Sequence, residues 1–498
     1  MKLFPILGGI HPEYRKELTS EKAIVVMPMP AALYIPLQQH IGAPAEVLVA
    51  AGEMVKKGQM IARNQGTVSA SQHAPTSGRI RTVSEVTAPH PSGLPQTTII
   101  LEPDGKDEWA ELPEPIADPF AVDAHTINER VSQSGIVGMG GAAFPSAIKL
   151  NLGDQKKLDT LLLNGAECEP YLTCDDRVMR EYPDEIIDGA RIMAHALGTP
   201  RIVIGIEQNK PQAIESMTKA ASAFSNIEVV GVPVQYPMGS ERHLVQAITG
   251  LETPARKLTA DLGIVVHNVS TARAVHHAIR FGRPLVARVV TVSGGAIREP
   301  NNVLVPIGAS VSDLIEFCGG FAERPESVVN GGPMMGSPLP SLDVPVVKGT
   351  SGILALTAEE INDRPTENCI RCGSCVTVCP CGLSPLDMAA FIRKDKLEGA
   401  AKLGVMDCFS CGSCSYVCPS HIPLVHYFNY AKGVLNDLER ERNKNDRIKT
   451  LAEVRTIRIE KATEAKRATL AARKPASDTT QPGNSGEAKA AIEEKANV

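Results

Sequence analysis

Aromatic residues and long apolar runs are scarce in this sequence of 498 residues, which contains one tryptophan and 4% aromatic residues. No apolar run approaches the roughly 20 residues that a helix needs to cross a bilayer. The formal net charge is -5, so there is no excess of the basic residues on which binding to a phosphate backbone depends. The sequence therefore predicts neither a membrane-spanning protein nor a nucleic-acid-binding one.

A secretory signal is also missing from the start of the sequence, MKLFPILGGIHPEYRKEL. It lacks the basic beginning, the apolar stretch and the small-residue cleavage site that such signals share. Hydrophobic residues make up 43% of the chain, which is enough for several domains with cores of their own. We therefore expect an intracellular multidomain protein, which would reach a membrane only through partner subunits.

Cysteine, in contrast, is concentrated in one part of the chain. Of 12 cysteines, eight lie in two runs that both fit C-x2-C-x2-C-x3-C-P. The first run contains Cys369, Cys372, Cys375 and Cys379, and the second contains Cys408, Cys411, Cys414 and Cys418. In a reducing compartment this clustering favours metal ligands over disulfides. The spacing is that of bacterial ferredoxins and predicts two [4Fe-4S] clusters.

In the ferredoxin arrangement the first three thiolates of a run bind one cluster and the fourth binds the other. One predicted cluster therefore takes Cys369, Cys372, Cys375 and Cys418, and the other takes Cys408, Cys411, Cys414 and Cys379. A pair of zinc sites is the alternative, but these usually use separated cysteine pairs. Residues 383–403 have apolar side chains at helical spacing, which indicates a helical ferredoxin domain. Cys381 and Cys318 lie outside the pattern and are interpreted as bystanders.

A glycine-rich segment, GIVGMGGAAFPSAIK, lies at residues 135–149. Such a loop lets backbone N–H groups approach an anionic phosphate, although many glycine clusters are only turns. A strand-like run at residues 158–163 leads into NGAECEP at 164–170. Further strand-like runs alternate with helical ones up to residue 269, which predicts a mainly parallel sheet with ligands at the carboxyl ends of its strands.

The order of four motifs, GMGGAAFP, NGAECEP, GSER and HNVST, closely resembles the flavin domain of the complex I NADH-binding subunit. Joined to the two ferredoxin runs and to the N-terminal GGIHP, the chain from about residue 3 to 430 resembles the RnfC family, one of the subunit families of Rnf electron transport complexes. The resemblance implies a protein that binds FMN, NAD(H) and two [4Fe-4S] clusters.

The resemblance also implies roles for ten residues, which are expected to bind cofactors rather than to act as catalytic groups. Four would hold the FMN phosphate and ribityl chain, two would contact the flavin, three would hold flavin and nicotinamide ribose, and one would stack on a ring. In that order they are Gly138, Gly140, Gly141 and Lys149; Asn164 and Asn268; Glu167, Glu169 and Glu241; and Phe144. The sequence departs from the family pattern at Met139, where the relatives have arginine, at Ala166, where they have aspartate, and at Ser240 and Arg242.

We expect a multidomain α/β plus β fold with five parts. They are a barrel-sandwich hybrid module at 1–110, a Rossmann-like α/β domain for FMN and NADH at 111–283, a β-grasp, soluble-ligand-binding domain at 284–345, a helical ferredoxin domain with two clusters at 358–430, and a charged, helical and disordered tail at 431–498. The first part resembles lipoyl and biotinyl domains but lacks the lysine that these modify. Disorder is expected where Ser, Gly, Pro and Thr accumulate, at 476–487.

The resemblance implies a peripheral subunit on the cytoplasmic side of the bacterial inner membrane, in a complex that translocates ions. Its partners would be the other subunits, including an iron–sulfur subunit, and a ferredoxin-type carrier. NADH gives up two electrons as hydride whereas a cubane accepts one, and a flavin does both. Two alternatives remain: a cobalamin (corrinoid) reductase of the related flavin and iron–sulfur family, and a non-catalytic electron-transfer adaptor.

Overall fold

The computed structural model describes residues 2–361 and 364–472, and it divides the chain into two compact units at Lys432 and Gly433. The strands of the described residues are β1 (Val25–Val26), β2 (Leu33–Pro36), β3 (Glu46–Val47), β4 (Met54–Val55), β5 (Met60–Arg63), β6 (Gln72–His73), β7 (Gly78–Thr87), β8 (Pro95–Pro103), β9 (Thr160–Gly165), β10 (Arg201–Glu207), β11 (Ile227–Val232), β12 (Ile264–Asn268), β13 (Ala287–Ser293), β14 (Asn301–Pro306), β15 (Ser327–Asn330), β16 (Ser337–Pro338) and β17 (Gly352–Leu356).

The helices of the described residues are α1 (Ala124–Gln133), α2 (Ser146–Leu150), α3 (Cys174–Glu181), α4 (Pro183–Leu197), α5 (Pro211–Ala221), α6 (Glu241–Thr249), α7 (Val269–Phe281), α8 (Val311–Phe317), α9 (Ser374–Thr377), α10 (Pro385–Ile392), α11 (Leu397–Lys402), α12 (Ser413–Tyr416) and α13 (Leu424–Ala472). Short 3₁₀ turns lie at Lys16–Leu18, Asn151–Asp154, Thr259–Leu262 and Val405–Asp407.

Two antiparallel sheets form the N-terminal part of the first unit. One has the order β2-β8-β7-β4 and the other the order β3-β5-β6. At the start of β7, buried side chains alternate with exposed ones, as a sheet with one core face requires. Leu33, Ile35, Ile80, Ile99 and Leu101 point into this core and are fully or almost fully buried. The two small sheets packed together are the arrangement that the sequence predicts for this part of the chain.

A parallel sheet with the order β11-β10-β9-β12 forms the centre of the next part. Its strand β10 is buried from Ile202 to Glu207, as expected for a strand covered by helices on both faces. The central strand β9 and the edge strand β12 pair in parallel, with Asn164 opposite Asn268 at their carboxyl ends. Parallel strands thus bring two predicted flavin-contacting residues to one edge of the sheet, where ligands of open α/β sheets bind.

The fourth sheet has six strands, in the order β1-β14-β13-β17-β15-β16. Two of these strands come from outside the predicted range 284–345: β1, which pairs with β14 at one edge, and β17, which lies between β13 and β15. All five residues of β17 are buried, so this strand completes the core of the sheet. Helix α8 follows β14 and begins at Val311, and the side chain of its N-cap residue Ser310 accepts a hydrogen bond from the N–H of Asp313.

Short helices form the part that contains the cysteine runs. Helices α10 and α11 account for the predicted helical segment 383–403, which is broken where Asp395 adopts a positive φ of 54°. The final helix, α13, has 49 residues, and all of its residues from 436 to 472 are exposed. The predicted disorder at 476–487 lies outside the described residues. Among the described residues, no helix combines the length and the apolarity that a membrane span requires.

Candidate functional site

A cavity of about 460 Å³ opens at the carboxyl ends of β9 and β12. Its wall is formed by the glycine-rich loop, the 164–169 loop, the 236–242 loop and the start of α7. Six predicted site residues line this cavity: Gly140, Asn164, Glu167, Glu169, Glu241 and Asn268. The other four, Gly138, Gly141, Phe144 and Lys149, are not part of its wall. We refer to this space as the flavin cavity.

The glycine-rich loop is closed by its own backbone. The N–H of Gly138 donates to the carbonyl oxygen of Phe144 at 2.8 Å, and the N–H of Met139 donates to Oγ1 of Thr271 in α7 at 2.9 Å. A Cβ atom on Gly140 would lie 3.5 Å from the side chain of Asn268, so the absence of a side chain keeps this wall open. Phe144 is half-buried and closes the loop instead of facing the cavity.

The two asparagines at the strand ends are held by hydrogen bonds to both the nitrogen and the oxygen of their side-chain amides. Asn164 donates to the carbonyl oxygen of Gly239 at 2.7 Å and accepts from the N–H of Ala166 at 3.0 Å. Asn268 donates to Asp175 at 2.6 Å and accepts from the N–H of Ser270 at 2.8 Å, which caps α7. Both side chains are therefore preorganised in the cavity wall.

The two acidic residues of the 164–169 loop bind backbone N–H groups. The carboxylate of Glu167 accepts from Asp175 at 2.9 Å and from Asp176 at 3.3 Å, in the first turn of α3. The carboxylate of Glu169 accepts from Met334 at 3.0 Å and from Met335 at 2.9 Å, in the loop at residues 331–336 between β15 and β16. These residues therefore fix the loops around the cavity as well as lining it.

The charge of the cavity is less negative than its acidic residues indicate. Burial raises the pKa of Glu167 and of Asp175, and it raises the pKa of Glu169 to about 7 even though two backbone N–H groups act in the opposite direction. Two cationic side chains, Arg242 and Lys257, also line the cavity. The donor set is consistent with a polar ligand that carries a phosphate.

Two lysines, the half-buried Lys16 and the buried Lys210, hold the 164–169 loop from behind, and no sequence motif points to either. Lys16 donates to three carbonyl oxygens, those of Glu167 and Glu169 at 2.9 Å and that of Leu172 at 2.5 Å. Lys210 donates to the carboxylate of Glu207 at 2.6 Å and to the carbonyl oxygen of Glu167 at 3.2 Å. Local patterns could not reveal these contacts, since Lys16 lies 151 positions before Glu167.

Lys149 forms an ion pair just outside the cavity wall. Its Nζ donates to Glu241 at 2.9 Å and to the carbonyl oxygen of Val266 at 3.0 Å, while the other oxygen of Glu241 accepts from Thr259 at 2.5 Å. Lys149 therefore orients Glu241, which does line the cavity, at the beginning of α6.

The eight cysteines of the two runs meet in two groups. One group surrounds a cavity of about 310 Å³, and the other surrounds a much smaller one. The outer cysteine group is Cys369, Cys372, Cys375 and Cys418, and the flavin-side cysteine group is Cys379, Cys408, Cys411 and Cys414. Each group combines three cysteines of one run with the last cysteine of the other. Cys381 also lines the flavin-side cavity.

The donor set of each group fits a cubane cluster. Four thiols face one space, and the backbone N–H groups of Arg371, Ser410 and Leu383 lie 3.4 Å from the sulfurs of Cys369, Cys408 and Cys379 respectively. Such N–H···S bonds to thiolates help to set the potential of iron–sulfur clusters. Within residues 2–361 and 364–472, no three His, Cys, Asp or Glu side chains converge as around a single metal ion.

The flavin cavity and the flavin-side cysteine group are neighbours. Phe409 lines both spaces, and the Tyr236 hydroxyl, at the wall of the flavin cavity, donates to the carbonyl oxygen of Cys411 at 2.5 Å. The N-terminal GGIHP segment crosses the same junction: the N–H of Gly9 donates to Val378 at 3.0 Å and that of Ile10 donates to Tyr236 at 2.8 Å. Phe409 stands between two cysteines of the second run, so its place beside a cluster could have been predicted from the sequence.

Four family models match this chain. They describe an RnfC barrel sandwich hybrid domain at residues 4–106, a Nuo51 FMN-binding domain at 131–277, an SLBB domain at 289–338 and a 4Fe-4S dicluster domain at 367–422. Together with the fold and the two kinds of site, these matches define a multidomain flavin and iron–sulfur electron-transfer protein.

Among curated proteins, the chain is similar to the C subunit of the ion-translocating oxidoreductase complex of Rhodobacter capsulatus, with 57% identity over 89% of this chain and 85% of the relative. It is also similar to the C subunit of the proton-translocating ferredoxin:NAD(+) oxidoreductase complex of Clostridium ljungdahlii, with 45% identity over 85% of this chain and 93% of the relative. Among solved structures, an NAD+-reducing [NiFe]-hydrogenase matches 60% of this chain and 62% of its own, with a TM-score of 0.46 and 19% identity.

The chain belongs to the RnfC family, the C subunits of ion-translocating oxidoreductase complexes. The predicted family is thus confirmed, and with it an electron-transfer subunit of an oxidoreductase complex whose cofactors are FMN and [4Fe-4S] clusters.

Proposed function

We propose that this chain is the peripheral, NADH-side subunit of its complex, on the cytoplasmic side of the membrane. It passes electrons between NAD(H) and a ferredoxin-type or iron–sulfur partner by way of FMN and two [4Fe-4S] clusters. The observation that carries the proposal is Phe409, whose side chain lines both the flavin cavity and the flavin-side cysteine group. The clostridial relative is named as a subunit of a ferredoxin:NAD(+) oxidoreductase complex, which supports NAD(H) and ferredoxin as the two ends of this electron path.

The flavin cavity supplies the contacts that FMN needs. Its volume of about 460 Å³ lies in the ordinary range for cofactor sites. Asn164 and Asn268 are fixed to orient the ring, and Arg242 and Lys257 are the cations in the wall that would hold the phosphate. Bound FMN exchanges a hydride with NAD(H) and single electrons with iron–sulfur clusters. Met139 and Ala166, two of the departures from the family pattern, are both buried at this site.

Gly138, Gly141, Phe144 and Lys149 act around the cavity in this proposal. The Gly138 and Phe144 backbones close the glycine-rich loop, and Lys149 orients Glu241. Gly141 has a φ of 99° and open space around it, so its backbone remains accessible at the surface of the loop. Glu167, Glu169 and Glu241 keep the loops at the distances that ligand binding requires.

The two cysteine groups form a short series. The flavin-side cysteine group adjoins the flavin cavity and includes two buried cysteines, Cys411 and Cys414. The outer cysteine group includes two exposed cysteines, Cys369 and Cys372. We therefore assign the flavin-side group to the cluster that exchanges electrons with the flavin, and the outer group to the cluster that exchanges them with a partner.

The proposal is tested by adding NADH anaerobically to the FMN- and cluster-loaded chain and following flavin absorbance and cluster EPR in time. We expect the flavin to bleach first and a reduced-cluster signal to follow. Phe409→Ala should slow the second phase much more than the first, whereas the exposed Phe391→Ala, outside both cavities, should change neither. Loaded protein in which NADH leaves the flavin oxidised would contradict the proposal and favour an adaptor or a corrinoid reductase.

A further inference from the structure

The two cysteine runs have the same local backbone. In each run the residue before the second cysteine has a positive φ, 55° at Arg371 and 61° at Ser410. The glycine after that cysteine also has a positive φ in both runs, 82° at Gly373 and 86° at Gly412. A helix of four residues follows in each case. Each run therefore presents an equivalent face. In the first run this face consists of residues 370–373, and in the second run it consists of residues 409–412.

In the second run this face is an interface. Phe409 lies against the flavin cavity, and the carbonyl oxygen of Cys411 accepts the hydrogen bond from Tyr236. A Cβ atom on Gly412 would lie 2.9 Å from the carbonyl oxygen of Met334, so this glycine permits a close backbone approach. The face of the second run is thus where the flavin-binding part of the chain contacts the ferredoxin domain.

In the first run the equivalent face is open. Ile370, which corresponds to Phe409, is 69% exposed, and Cys372, which corresponds to Cys411, is exposed. A Cβ atom on Gly373 would meet no atom within 4 Å among the described residues. An apolar side chain and a backbone shaped for close approach therefore stand uncovered beside the outer cysteine group.

Positive charge surrounds this open face. Arg371 and Arg393 line the cavity of the outer cysteine group, and no acidic residue of the described chain does. Neither arginine forms an ion pair with another part of the chain that the structure describes. Guanidinium groups without such a partner, around an exposed apolar side chain, favour a partner protein whose surface carries carboxylates.

We propose that the face formed by Ile370, Arg371, Gly373 and Arg393 is the docking surface for the next electron carrier, a protein with an acidic surface around its own redox centre. The inference rests on the proposed function, because it assigns the outer cysteine group to the exchange with a partner. One electron leaves the reduced outer cluster and is accepted by the oxidised centre of the partner, or moves the opposite way, and no bond or proton changes. Electron-transfer encounters of this kind use small interfaces that charge steers.

The test uses the purified, assembled complex with Ile370→Asp or Arg371→Glu in this chain. The matched control is Ile41→Asp, at an isoleucine of the N-terminal part that is 54% exposed. Electron transfer between NADH and a two-cluster acidic ferredoxin, supplied as the terminal carrier, should fall by about tenfold or more in both test variants, as for the loss of an interface hot spot. NADH oxidation by ferricyanide and the midpoint potential of the flavin-side cluster should stay as in the unmodified complex. The arginine variant should also lose most of the dependence of the rate on salt.

A second readout does not depend on activity. A photo-reactive benzophenone amino acid at position 370, but not at position 41, should crosslink to a subunit of the complex that carries a redox centre. Crosslinks between two copies of this chain, or an equal loss of rate in Ile41→Asp, would overturn the proposal. A change in the midpoint potential of the outer cluster that is large enough to explain the slower rate would also overturn the proposal. Arg371 would then serve only to balance the cluster charge. Loss of the ferricyanide reaction would instead count against the proposed function.

Discussion

The hydroxyl of Tyr236 donates a hydrogen bond of 2.5 Å to the carbonyl oxygen of Cys411, and the tyrosine side chain is completely buried. This contact joins the wall of the flavin cavity to the loop of the flavin-side cysteine group. Burial raises the pKa of Tyr236, so the hydroxyl stays protonated and remains a donor. This hydrogen bond between parts of the chain 175 residues apart is therefore one of the contacts that fix the relative position of the two redox sites.

Tyr236→Phe is expected to weaken this coupling. A buried carbonyl oxygen that loses its donor costs about 1–3 kcal/mol, so the free energy of unfolding should fall by that amount. In the loaded protein, stopped-flow absorbance should show unchanged flavin bleaching by NADH and slower reduction of the clusters. Tyr430→Phe, at a tyrosine that is 55% exposed, is the control. Equal cluster reduction rates in the two variants would show that the hydrogen bond has no part in electron transfer.

Lys16→Met is expected to weaken FMN binding without removing a residue of the cavity wall. Methionine is similar in size to lysine but leaves the carbonyl oxygens of Glu167, Glu169 and Leu172 without their shared donor. The 164–169 loop should loosen, and the dissociation constant for FMN should rise by about tenfold, which corresponds to about 1.4 kcal/mol.

The measurement for Lys16 is a fluorescence titration of the metal-free chain with FMN. Lys56→Met, at an exposed lysine with a surface ion pair to Glu108, is the matched control and should bind FMN normally. A Lys16→Met protein that folds, as judged by circular dichroism, and still binds FMN with the original affinity would refute a positioning role for Lys16.

Local sequence patterns predicted much of this architecture. Contacts between residues that are far apart in the sequence could not be predicted in this way. The cysteine spacing predicted the groups in which the thiols meet, and the alternation of strands and helices predicted the parallel sheet that brings Asn164 and Asn268 to one edge. Lys16 and Tyr236 belong to none of the recognised motifs, and their roles come from partners far along the chain. The same holds for β17, whose place between β13 and β15 depends on pairing that the local sequence does not encode.

Glu169 should make stability depend on pH in a defined direction. Burial raises the pKa of its carboxyl from 4.5 to about 7, so the folded chain binds more protons than the unfolded chain between these pH values. The free energy of unfolding contributed by Glu169 is therefore greatest below pH 4.5 and is lost as the pH rises towards 7. A shift of this size corresponds to about 3 kcal/mol.

The prediction for Glu169 is measured by urea unfolding of the cofactor-free chain at several pH values from 5 to about 8. Relative to Glu169→Gln, whose amide does not titrate, the unmodified chain should lose stability across this range. Glu129→Gln, at an exposed glutamate of α1, should give the same pH profile as the unmodified chain. Parallel profiles for the unmodified chain and Glu169→Gln would contradict the assigned pKa.

The cysteine grouping can be tested by pairs of substitutions. If each cluster takes three cysteines of one run and the last of the other, Cys379→Ser combined with Cys408→Ser removes two ligands of the same cluster and should leave about half of the iron. Cys369→Ser combined with Cys379→Ser removes one ligand from each cluster and should reduce the iron far below half. Ligands taken run by run would reverse these results, because Cys369 and Cys379 would then share a cluster. Iron and sulfide analysis with EPR of the reduced protein separates the two patterns, and Cys381→Ser, which changes the extra thiol beside the flavin-side group, should retain both clusters.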